Sequence, residues 1–114
     1  MIRLKSEIWV QAYLRRWFAK GGFGAVLRKG APEAGAIYIA VNRLDGTLNV
    51  FGPAPGPAYD EEGERRWATW AKEPVNAAEL NALIARLQRI DPDIWVIEID
   101  DRSGTGGLSL ARDS

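Results

Sequence analysis

Two segments, Ala36-Ile37-Tyr38-Ile39-Ala40-Val41 and Ile94-Trp95-Val96-Ile97, are apolar at every position, and they constrain the fold more than any other feature of the sequence. A strand with one solvated face alternates apolar and polar residues. An unbroken apolar run of strand-forming residues fits only where both faces of a sheet are covered. The expected architecture is therefore α+β, with a mixed, mostly antiparallel sheet of five or six strands and helices on both faces. A two-layer α+β sandwich is the alternative.

The remaining elements follow from periodicity and turn chemistry. From Ser6 to about Lys20, Val10, Leu14, Trp17 and Phe18 recur at three- and four-residue spacing, and Trp9 and Tyr13 widen the stripe. Ser6 is suited to cap this helix and Gly21-Gly22 to end it. Residues 23–29 and 36–42 read as strands joined through the turn Gly30 to Gly35, with antiparallel pairing between them. Asp45-Gly46 forms a hairpin with residues 48–51, which makes the first three strands a meander. Gly52 to Pro57 cannot extend a ladder, and with the acidic run from Asp60 to Glu64 the segment 52–65 is expected to be the most mobile internal one. A fourth strand covers 66–71. Asn76 and Glu79 resemble a capping box for a helix through Ile90, with Leu80, Leu83, Ile84, Leu87 and Ile90 as its buried stripe. The last long strand is 94–100, parallel to 66–71 through a crossover, and 108–111 would make a sixth. The order is α-β-β-β-β-α-β. Val10, Leu14, Trp17, Ile39, Leu83, Leu87, Trp95 and Ile97 are the expected core.

At 114 residues the chain has the length of one domain, 1–114. Fifteen basic and fifteen acidic residues cancel, so nucleic acid is not the expected partner. There is no cysteine and no histidine, which removes thiolate chemistry, the commonest metal ligand and the commonest general base. The charged N-terminal stretch is neither a signal peptide nor a membrane span, so a cytoplasmic location is expected.

The opening RLKSEIWV, the Leu14-Arg15-Arg16 triplet and the run DPDIWVIEIDD from Asp91 to Asp101 together resemble a family of small bacterial proteins classed as domain of unknown function 1491. The resemblance spans nearly the whole chain. It implies a stand-alone bacterial protein of this size and assigns no chemistry to any position.

Among candidate sites, five tryptophans are many for this length, and Arg65-Arg66-Trp67, with Trp70 beside it, combines planar cations with indoles. These residue types are enriched at interface hot spots. Arg65, Arg66, Trp67 and Trp70 are therefore the expected binding residues, with Trp67 and Trp70 on opposite faces of a strand. The competing structural role is that the arginines are consumed by Glu98, Asp100 or the acidic loop. Glu98, Asp100 and Asp101 could hold Mg²⁺, but the expected reading is a strand end emerging into solvent, its charges paired to arginines such as Arg65, Arg66 or Arg102. The glycines at 21–24 and 103–107 lack the strand-to-helix context of a phosphate loop. No lysine has an acidic residue two positions before it, which rules out the site of a restriction-nuclease-like core. A non-catalytic binding or protein-interaction domain is expected, with a protein partner or homo-oligomer and no cofactor. A carboxylate-dependent Mg²⁺ enzyme acting on a phosphate-containing substrate is the alternative.

Overall fold

The computed structural model describes residues 4–111, and its elements are α1 (Ser6–Ala19), β1 (Gly24–Arg28), β2 (Ile37–Asn42), β3 (Leu48–Pro53), β4 (Trp67–Thr69), α2 (Ala77–Ile90) and β5 (Trp95–Asp100). One open five-stranded sheet has the order β1-β5-β2-β3-β4. Only the β2–β5 pair is parallel; β1–β5, β2–β3 and β3–β4 are antiparallel.

The two apolar runs lie side by side as the central pair, with Ile37 opposite Trp95 and Ile39 opposite Ile97. Alternate side chains feed two separate cores. Ile37, Ile39, Val41, Trp95, Ile97 and Ile99 pack with Val10 and Tyr13 of α1, whereas Tyr38, Ala40 and Val96 pack with Leu80 and Ile84 of α2. Each face thus has its own helix, and the two-layer alternative is not realised. Asn76 caps α2 as its spacing predicts: its side chain accepts from the Glu79 amide at 2.8 Å, and its own amide donates to Glu79 Oε1 at 3.0 Å.

Several expectations are corrected. β1 does not pair with β2, because β5 lies between them, so the meander consists of β2, β3 and β4 alone. The segment between β1 and β2 arches over the start of β5, with the Ala31 amide donating to the Asp93 carbonyl at 3.0 Å and the Trp95 indole to the Ala31 carbonyl at 2.7 Å. Gly30 and Gly35 permit this crossing, since a Cβ on either would run into the Asp93 carbonyl. β4 and β5 point the same way but are separated by β3 and β2.

Ser6 is not the cap of α1. It sits fully buried in the first turn, donating its hydroxyl to the Gly35 carbonyl at 2.6 Å, while the amides of Ser6 and Glu7 reach the carbonyls of Glu33 and Pro32. β3 runs on to Pro53, with Gly52 opposite Ala68, because proline at a strand end needs no ladder donor. The segment 108–111 contributes only a bridge from Leu110 to Trp67, so the sheet has five strands and not six. Ile90 is 83% exposed and Phe18 52% exposed, each at a helix end beyond the reach of the sheet, and Leu14, Trp17, Leu83 and Leu87 are partly buried at the margins of the cores.

Candidate functional site

β4 is short and lies at the sheet edge, so the chain entering it is free to fold into a site. Between β3 and β4 the loop doubles back on itself, with Tyr59 bridged to Arg65 and the Asp60 carboxylate accepting from the amides of Glu62 and Glu64 at 2.9 Å. Arg66 clasps this loop. Its Nη1 donates to the carbonyls of Pro55 at 2.9 Å and Pro57 at 2.7 Å. The proline-rich segment is therefore tied to the strand that follows it.

Arg65 reaches toward α1. Its guanidinium carbon lies 5.8 Å from the Trp9 ring centroid and 5.6 Å from that of Tyr59, and Nη2 donates to the Leu4 carbonyl at 3.2 Å. Burial lowers the guanidinium pKa from its ordinary value, although the group stays charged. Among the described residues no carboxylate lies within 4 Å of either arginine; the ion pair formed there joins Lys5 to Glu33 at 3.6 Å. The expected pairing of Arg65 and Arg66 with Glu98, Asp100 or the acidic loop does not occur. Carbonyls and aromatic rings take the place of carboxylates.

Trp9 belongs to a row of rings along α1, where residues 9, 13 and 17 share a face by their four-residue spacing. Trp9 stacks on Tyr13 at 5.0 Å and Tyr13 on Trp17 at 6.1 Å, and Trp67 packs against Trp9 at 5.1 Å. The Tyr13 hydroxyl donates to the Gly106 carbonyl at 2.6 Å and the Trp17 indole to the Asp100 carbonyl at 3.1 Å, which fixes the row against the end of β5.

Arg65, Arg66 and Trp67 come together around one cleft of about 350 Å³, lying between the start of α1, the turn before β2 and the clasped loop. Ile37, Pro53, Ala58 and Trp67 supply apolar walls. Trp67 is 5% exposed and belongs to the core beneath α1. Trp70 lies on the other face, edge-on to Tyr38 at 5.0 Å with its indole donating to the Pro53 carbonyl at 3.1 Å, and is 41% exposed. Three of the four expected binding residues thus share a cleft that Trp70 does not reach. Trp9 and Tyr59, which hold Arg65, carried no individual signal beyond the aromatic spacing along α1.

Glu98, Asp100 and Asp101 do not converge. Asp101 turns into its own loop, accepting from the Ser103 amide at 3.0 Å, the Ser103 hydroxyl at 2.8 Å and the Gly106 amide at 2.9 Å. Burial opposes its ionisation, but these hydrogen bonds prevail and hold its pKa below the ordinary carboxylate value. Burial, and then the neighbouring Asp100 charge, push Glu98 up despite a hydrogen bond with Asn42. Among the described residues no three acidic side chains are placed to hold a metal ion. Nor is any helix there long and apolar enough to cross a membrane.

The fold and this cleft define a small α+β domain with an open mixed sheet, a helix on each face and an arginine-aromatic cleft beside the edge strand β4. The chain belongs to the DUF1491 family, whose model, described as a protein of unknown function, matches residues 4–109. It is similar to the solution structure of a protein from A. tumefaciens, with 43% identity and a TM-score of 0.82 over 99% of this chain and 98% of that one. It is also similar to the crystal structure of a DUF1491 family protein from Caulobacter crescentus CB15, with 38% identity and a TM-score of 0.77 over 99% of this chain and 100% of that one. An NMR structure of a DUF1491 family protein from the same organism matches at 39% identity and a TM-score of 0.75, covering both chains fully. No curated protein matches.

Proposed function

We propose that the protein is a non-catalytic binding domain, that its recognition centre is the cleft bordered by Arg65, Arg66 and Trp67, and that its partner is another protein. Arg65 carries this reading. Its guanidinium is half-buried between Trp9 and Tyr59, and among the described residues one carbonyl accepts from it. Stability alone does not require such a group, since apolar side chains in place of a buried ion are often neutral or better. A planar cation beside apolar walls and an indole is, by contrast, the composition of an interface hot spot. Zero net charge gives no long-range field favouring nucleic acid.

Amide-resolved NMR with a mixture of neutral, cationic and anionic small fragments tests the location. Shifts are expected to concentrate at residues 35–37, 53–59 and 65–67 and at the indoles of Trp9 and Trp67. Shifts clustered on the α2 face, or none at all, would overturn the proposal.

A further inference from the structure

We infer that the occupant of the cleft is the C-terminal residue of a partner polypeptide, an apolar side chain with a free α-carboxylate beside it; this rests on the cleft being the recognition centre. The charge balance of the cleft is the first ground. Arg65 and Arg66 both border it without a carboxylate within 4 Å among the described residues, while Glu33 on the opposite rim faces Lys5 Nζ at 3.6 Å. The excess is positive, and only an anion complements it. Arg66 spends Nη1 on Pro55 and Pro57, and Arg65 spends Nη2 on Leu4, which leaves in-plane donors on both forks. Arginine forks match carboxylates bidentately.

The second ground is what the rest of the cleft lacks. Ile37, Pro53, Ala58 and Trp67 offer walls that are apolar but for one indole; of the polar side chains on the lining, Tyr59 has its ring 5.6 Å from the Arg65 guanidinium carbon, Glu33 faces Lys5 Nζ at 3.6 Å, and the Ser6 hydroxyl is spent on the Gly35 carbonyl at 2.6 Å. An aspartate or glutamate within a chain would press its flanking peptide groups against these walls, at the cost of leaving them unpaired. A terminal residue avoids this, because its carboxylate and its side chain leave the same α-carbon. One residue then meets both demands. The volume of about 350 Å³ suits one large side chain with its carboxylate and an adjoining peptide unit, not a helix or a length of strand. Capture of a chain terminus is an established mode of peptide recognition.

The test titrates labelled protein with a pool of five-residue peptides ending in leucine, isoleucine, valine, phenylalanine or tryptophan as free acids, with the same pool as C-terminal amides, and with N-acetyl-leucine. The free acids are expected to shift residues 35–37 and 65–67 and to bind about tenfold or more tightly than the amides, the scale of a charge-assisted hydrogen bond. Arg65→Gln should abolish that preference. If it fails to fold, Arg65→Lys, which keeps the charge without the fork, should lose most of it. Equal binding of acids and amides at the cleft refutes the carboxylate and leaves the binding reading standing. Shifts from neither pool at the cleft refute both. N-acetyl-leucine binding as tightly as the peptides refutes a polypeptide source in favour of a small free acid.

Discussion

Replacing Tyr13 by phenylalanine removes one oxygen from the centre of the aromatic row and leaves the rings in place. The hydroxyl is buried and donates to the Gly106 carbonyl at 2.6 Å, so the substitution strands a buried acceptor beside Trp9 and Trp17. Stranding such a group costs about 1–3 kcal/mol. For a chain of this length that corresponds to a fall in melting temperature of about 4–12 °C. The penalty should also shrink in alkali. Burial, with the Asp101 charge adding to it, raises the Tyr13 hydroxyl well above the ordinary phenolic range. Below a pH of about 10 the phenol is neutral in both states; above it the unfolded chain ionises while the folded protein holds its proton. Stability tied to Tyr13 is therefore complete below the unfolded pKa and declines as pH rises, by up to about 1.4 kcal/mol per unit. Tyr13→Phe lacks this decline. Urea melts of both proteins at neutral pH and near pH 10.5 measure it, and a neutral-pH penalty under about 0.5 kcal/mol, or one that grows in alkali, would refute the reasoning.

Other outcomes are equally specific. Ile84→Ala should cost about 2–5 kcal/mol because Ile84 is buried under α2, whereas Ile90→Ala should cost less than about 0.5 kcal/mol; denaturant melts compare them. Glu98→Gln should raise stability at neutral pH, because burial and Asp100 lift the carboxyl pKa and its charged form is penalised; the gain should vanish in acid, where wild-type Glu98 is neutral in both states. Arg66→Ala should speed limited proteolysis within 55–64 by releasing Pro55 and Pro57, and Arg65→Ala should not; equal rates would contradict the clasp.

The central pair of strands was legible because the runs 36–41 and 94–97 are apolar at every position, and that pattern alone called for a helix on each side. The α2 boundaries were legible because Asn76 and Glu79 satisfy each other's amides locally. Strand order was not, because what separates β1 from β2 is a long-range crossing. Gly30 and Gly35 read as turn residues, and nothing local says that the Asp93 backbone passes against them. Ser6 misled for a similar reason: a serine before a helix serves equally well as a cap or as a buried donor, and the Gly35 carbonyl decides. At the site, the chemistry of Arg65, Arg66 and Trp67 was visible in three consecutive letters. Their partners were not, since Trp9 lies on α1 and the prolines clasped by Arg66 are taken as turn-formers until the loop is seen to fold back.

In the proposed function, Arg65 serves something outside the chain. Arg65→Met keeps an unbranched apolar stem against Trp9 and Tyr59 while removing the guanidinium, and the deciding measurement is its affinity, read by NMR, for whatever fragments shift the wild-type cleft. A fall of about tenfold or more with the melting temperature changed by less than about 4 °C is the predicted result. Unchanged affinity with a large loss of stability would contradict it, and would make Arg65 a brace between the acidic loop and α1.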